Sequence, residues 1–177
     1  ARRSLFNFGV AKGYIINGDV MEGHPIKEES CDLVYSLGLI EHFDDLVSIL
    51  RAHTRCLKVG GILVIGAPNF VGLTGSLQRR LDPSVFDGWA TVVRREQLIE
   101  ALVNLGLTDV SVIPFGFFNP DMISWGQMTP ARRIFKKIVF ATAFLASSLL
   151  ERTGLNVSSP KISSYWIGIG VKSSAVR

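Results

Sequence analysis

The chain predicts an α/β domain, and two observations carry that prediction. Residues 32–69, DLVYSLGLIEHFDDLVSILRAHTRCLKVGGILVIGAPN, read in order as strand, loop, helix, glycine turn and strand. A strand–helix–strand unit of this length joins a parallel pair. The second observation is length, since 177 residues are enough to build one core.

Residues 1–11 are predicted as a surface helix that turns Leu5, Phe8 and Val10 toward the sheet and ends at Gly13. A short strand over 14–17 follows. Gly18, Asp19 and Val20 then lie at its carboxyl end, the edge of an open α/β sheet where ligands bind. A carboxylate at Asp19 is placed where it could act; a solvated turn residue is the alternative. Residues 24–30, HPIKEES, form a polar connection with an exposed His24 and a solvated Glu28-Glu29 patch.

Strand 32–36 delivers Ser36, Leu37 and Gly38 to the next loop. Gly38 lets the backbone approach a ligand or relieves a tight turn. Glu41-His42 is the most chemical pair in the chain, because an imidazole can take a proton near neutral pH. A hydrogen bond that stabilises the loop is the competing role for His42. Helix 43–57 places Leu46, Ile49, Leu50, His53 and Leu57 on one face, which makes His53 a packed core residue. Asp44 and Asp45 suit the first turn and its positive end. Gly60-Gly61 is expected to stop the helix before strand 62–67.

Beyond that strand, residues 70–90 form an insert jointed at Gly72, Gly75, Pro83 and Gly88, with a short helix over 76–81. A segment just past a carboxyl strand end can act as a lid. Arg79 and Arg80 either meet an anionic group or are solvated. Helix 94–105 carries Leu98, Ile99, Leu102 and Leu105, and Gly106 closes it. Strands 108–115 and 163–172 follow, the second with Tyr165, Ile167, Ile169 and Val171 on one face.

Between those strands lies an apolar helical excursion over 131–152. Ile134, Ile138, Ala141, Leu145 and Leu149 share one face, with Phe140 and Phe144 on the other, so the helix asks for burial on both sides. Its uninterrupted apolar part, 138–150, is shorter than the roughly 20 residues a bilayer crossing needs. It covers a substrate cavity, joins a partner subunit, or lies in a membrane interface with Lys136 and Lys137 near headgroups; the first is preferred.

The net charge of +4 is scattered over doublets such as Arg2-Arg3, Arg79-Arg80 and Arg132-Arg133. Nucleic-acid binders concentrate theirs, so no nucleic-acid partner is expected. Two cysteines, Cys31 and Cys56, are too few for a disulfide framework and read as free thiols of a cytoplasmic protein.

SLGLIEHF followed by RCLKVGGILVIGAPN resembles the second half of the class I S-adenosylmethionine-dependent methyltransferases, with Val59 in place of a usual proline. The Pro68-Asn69-Phe70 run is similar to one found after the fifth strand of that group. The resemblance implies a Rossmann-like, three-layer fold with late antiparallel strands. It also implies S-adenosyl-L-methionine as cofactor and in-line methyl transfer to a small-molecule acceptor. Asp19 matches the position that accepts a hydrogen bond from the adenine amino group, and the backbone N–H of Val20 would reach a ring nitrogen. Ser36, Leu37 and Gly38 would line the methionine part, and His42 would be the catalytic base for a hydroxyl acceptor. Some relatives hold a cation with a Glu three residues before the Glu-His pair; here that position is Gly38, and no metal is expected. The family's glycine-rich loop and the acidic residue of its second strand precede the matching part. The chain is therefore expected to be an N-terminally truncated piece lacking the first two strands, and inactive alone. A non-catalytic module that binds a partner or membrane surface through helix 131–152 is the alternative. Oligomeric state stays open.

Overall fold

The computed structural model describes residues 16–22, 26–88 and 92–174. In chain order these form β1 (Cys31–Leu37), α1 (Leu46–Cys56), β2 (Leu57–Pro68), α2 (Leu73–Leu81), α3 (Arg95–Asn104), β3 (Leu107–Phe115), α4 (Pro130–Thr153) and β4 (Tyr165–Lys172). The expected helix over 1–11, Gly13, and His24 lie outside the described residues. So does half of strand 14–17; its other half, Ile16 and Asn17, has no strand structure.

The four strands form one mixed sheet in the order β1-β2-β4-β3. β1 and β2 pair in parallel, giving the expected βαβ unit, and β4 runs antiparallel to both of its neighbours. The carboxyl ends of β1, β2 and β3 consequently share one edge with the amino end of β4.

Asp45 caps α1, its carboxylate accepting from the Ser48 N–H at 3.0 Å and from the Ser48 hydroxyl at 2.6 Å. These bonds hold its pKa below the ordinary carboxylate range. The helix ends at Cys56, earlier than its glycines suggest. Leu57 is already extended and fully buried, so its side chain serves the sheet. Gly60 and Gly61 then fall inside β2: the pairing runs from Cys31 with Leu57 to Leu33 with Ile62, and the surplus β2 residues bulge at Gly60, whose φ is +78°. His53 is buried as expected, with Nδ1 2.7 Å from the Ile49 carbonyl oxygen. Cys31 and Cys56 are not joined in a disulfide.

α1 and α3 pack on one face of the sheet. There Leu63, Ile65, Ala67, Val112 and Trp166 meet Ile49, Leu50, Leu98 and Leu102. The packed face of β4 is Trp166 and glycines, while Tyr165, Ile167, Ile169 and Val171 are half-buried on the other. α3 lies too close for anything larger: a Cβ on Gly168 would sit 3.1 Å from Leu98 Cδ2 and 3.2 Å from Leu102 Cδ1. On the opposite face Leu33, Tyr35, Leu37, Ile113 and Phe115 are exposed.

A second, smaller cluster holds the segments after the sheet. Phe118, Ile123, Trp125 and Ala143 are buried together, with Leu77, Leu81, Val139 and Phe140 against them. α2 starts three residues before the expected helix because Gly75 packs on the backbone of Phe70, where a Cβ would lie 1.7 Å from the carbonyl oxygen. α4 is capped by Thr129, carries Pro130 in its first turn and closes at Gly154 with φ +66°. Its burial is one-sided. Phe140 and Ala143 face Trp125, whereas Ile134, Ile138, Leu145 and Leu149 face outward.

Candidate active site at the carboxyl edge of the sheet

Four chain segments meet the carboxyl edge: 36–42 after β1, 69–72 after β2, 116–121 after β3, and 163–165 entering β4. The first carries most of the candidate residues. Gly38 turns the chain with φ +67°, and its N–H donates to the Gly66 carbonyl at 2.9 Å. A 3-10 turn, Ile40–His42, follows, and fully buried Ile40 anchors it. That anchoring carries the next side chain inward, so Glu41 is buried as well.

Burial raises the Glu41 pKa above the ordinary carboxyl value, because desolvation penalises the charged form; a backbone hydrogen bond and the neighbouring His42 pull the other way. Glu41 Oε1 lies 4.0 Å from His42 Nε2, and the His42 side chain is about half exposed. Glu41 Oε2 and Ser36 Oγ are buried without a hydrogen-bond partner among the described residues. Buried polar atoms are nearly always paired, so two orphans at one strand end mark a place where a polar ligand would complete the bonding. Leu37 between them is exposed.

Asp19 stands apart in this arrangement. It is exposed, and its Oδ1 accepts from the Met21 N–H at 2.8 Å, which closes a local turn. Val20 ties the segment to the body by packing on the core cluster that contains Ile40.

Two residues that sequence reasoning passed over hold the rest of the edge. Asn69 is fully buried at the end of β2: Nδ2 donates to the carbonyls of Pro160 at 2.8 Å and Ser163 at 2.9 Å. Its Oδ1 accepts from the N–H groups of Val71 and Gly72 at 3.2 and 3.3 Å. Gln78, also fully buried, donates to the Asp82 carbonyl at 2.6 Å and accepts from the Ser124 N–H at 2.9 Å, fastening α2 to the loop before α4. The Pro-Asn-Phe run was visible in the sequence; its partners about ninety residues away were not. Ser164 completes the lacing, accepting from the Asn119 N–H and donating to the Phe117 carbonyl.

A cavity of about 660 Å³ opens beside this lacing, between the 115–121 segment, the second half of α4 and residues 154–158. Phe115, Phe117, Phe118, Phe140 and Phe144 line it, Asp121 and Glu151 supply carboxylates, and among the described residues no Lys or Arg lines it. Arg79 instead lies over the Phe86 ring at 5.3 Å. Among the described residues no group of three His, Cys, Asp or Glu side chains is placed to hold a metal ion.

A family model described as a methyltransferase domain matches residues 2–65. No curated protein matches the chain. Among solved structures, an S-adenosylmethionine-dependent methyltransferase from Thermotoga maritima superposes with a TM-score of 0.58 at 19% identity, over 90% of this chain and 64% of that one. One from Archaeoglobus fulgidus gives 0.56 at 19% identity, over 96% of this chain and 72% of that one. A methyltransferase from Bacillus halodurans gives 0.56 at 14% identity, over 98% and 77%. The chain thus spans about two thirds of the length of the first of these. The resemblance to the class I S-adenosylmethionine-dependent methyltransferases holds, and the α/β fold, with its parallel pair and late antiparallel strand, is theirs.

Proposed function

We propose that this chain is part of an S-adenosylmethionine-dependent methyltransferase acting on a small-molecule acceptor. The observation that carries this reading is the pair of orphaned buried atoms, Ser36 Oγ and Glu41 Oε2, at the end of β1, in a chain with a methyltransferase fold. When bound, S-adenosylmethionine supplies a methyl group already activated on a sulfonium. A buried carboxyl at Glu41 and an unpaired hydroxyl at Ser36 suit a ligand that carries positive charge and polar hydrogens.

Ser36, Leu37 and Gly38 hold the methionine part of the cofactor, and Asp19 with the Val20 backbone holds the adenine. His42 receives the proton of a hydroxyl acceptor on a ring nitrogen, with Glu41 Oε1 4.0 Å from its Nε2. The 70–90 insert walls the site off from water. The protein's share of the rate is alignment and a dry site. Activity belongs to the complete protein, in a reducing cytoplasm that suits a chain with only two cysteines.

Calorimetric titration of S-adenosylmethionine into the protein expressed from its complete reading frame tests this. Micromolar binding is expected, weakened about tenfold in Asp19→Ala by loss of one hydrogen bond. His42→Ala should bind normally and lose about 10²-fold or more in rate with a hydroxyl acceptor. An unchanged rate retires His42 as base. A folded protein that does not bind the cofactor overturns the enzymatic reading in favour of a non-catalytic module.

A further inference from the structure

The outward face of α4 is an apolar surface with no neighbour among the described residues. Ile134, Ile138, Leu145 and Leu149 are 62%, 54%, 67% and 63% exposed. At 100° per residue they fall within about 40° of Ile138, so they make one straight stripe. Phe144, at 71%, and Leu155, at 64%, carry apolar surface from the stripe to the mouth of the cavity they help line. Apolar surface of this extent, opposite the face that packs on the protein body, marks an interaction site.

Charge selects the occupant. α4 holds five Lys and Arg residues against one carboxylate, Glu151. Two of the five are engaged inward: Arg132 donates to the carbonyls of Trp125 and Gln127, and Lys136 lies over the rings of Trp125 and Phe140. Lys137 and Arg152 are exposed about 100° and 40° from Ile138, on one flank of the stripe, whereas Arg133 is exposed about 140° away. Two copies pairing through the stripe would crowd these flanking cations together, while Glu151, about 140° from Ile138, lies too far round to answer them. An anionic lipid surface accepts both cations at once, and a helix of 24 residues, roughly 36 Å long, lies readily in its plane. No helix among the described residues is long and apolar enough to cross a membrane.

We propose that α4 docks the protein on an anionic lipid surface. Ile134, Ile138, Leu145 and Leu149 enter the acyl boundary, and Lys137 and Arg152 reach to the level of the phosphates. The cavity mouth at Phe144 and Leu155 then opens toward the lipid. The docking rests on the helix alone and stands whether or not the protein transfers methyl groups.

Co-sedimentation with phosphatidylcholine vesicles, with and without phosphatidylglycerol, tests it. The protein should partition onto the anionic vesicles and be released by salt. Because Leu145 and Leu149 are solvent-exposed, a Leu145→Ser/Leu149→Ser variant should keep its circular dichroism and melting temperature yet lose at least about tenfold in partitioning. Lys137→Gln/Arg152→Gln should lose about 30-fold at low salt, on anionic vesicles only. Absence of vesicle binding overturns the proposal, as does binding that the double-serine variant retains. Concentration-dependent dimerisation that the same variant abolishes, without vesicle binding, assigns the stripe to a second copy and also overturns it.

Discussion

Replacing Asn69 by Ala should destabilise the protein by about 3 kcal/mol, because four hydrogen bonds converge on one fully buried amide. The bonds are unequal. The Ser163 carbonyl belongs to a residue that is 1% exposed, so losing its donor leaves a buried acceptor without water and costs about 2 kcal/mol. Pro160 is exposed and can recruit water, which limits its share to about 1 kcal/mol. The contacts from Val71 and Gly72 are longer, and those N–H groups are more accessible, so they add a few tenths each. For a chain of this length the melting temperature should fall by about 6–12 °C, read by thermal denaturation and checked against urea midpoints. Asn69→Asp is the sharper test. It keeps the acceptor toward Val71 and Gly72 but turns an oxygen on two carbonyls, so at neutral pH it should be no more stable than the alanine variant. Below about pH 4 the protonated carboxyl can donate again, and the aspartate variant should recover stability relative to alanine. A loss of under about 1 kcal/mol for Ala, or a pH-independent gap between Asp and Ala, would refute the view that this amide laces β2 to the entry of β4.

Three further substitutions separate other physical causes. Glu41 has a raised folded pKa, so its charged form is disfavoured by the fold: the full stability is present below the unfolded value near about 4.3 and is lost as pH rises through the folded pKa. Glu41→Gln removes that loss, so the variant should melt higher than the parent at pH 7, with the gap closing toward pH 4; a constant gap would show that ionisation is not the cause. Gly75→Ala places a methyl group against the Phe70 carbonyl and should cost about 3 kcal/mol or more. Gly60→Ala, with open space but φ +78°, should cost only about 1–2 kcal/mol. Equal urea midpoints for the two would contradict the assignment of the first to contact and the second to backbone conformation.

Wherever local periodicity and chain neighbours suffice, the sequence already determined the answer. The βαβ unit, the burial of His53 and helix α3 follow from apolar spacing and glycine punctuation, since those patterns report which residues must leave water together; the antiparallel end of the sheet came only with the resemblance. The Glu41-His42 loop likewise stood out in the sequence as a candidate site, because its residue types and its position after a strand are local facts. Tertiary structure decided what depends on distant partners. Leu57 ends α1 because the sheet core buries it, and Gly60-Gly61 becomes a bulge as a result. The glycine face of β4 packs inward because α3 approaches closely, leaving the more apolar face half-buried. Asn69 and Gln78 became structural hubs only when segments 40 to 90 residues away came alongside. On α4, amphipathicity named two apolar faces, but only the position of Trp125 determined that Phe140 and Ala143 are covered while Ile138 and Leu145 meet solvent. Periodicity shows that a face is apolar; what lies against it is a property of the assembled chain.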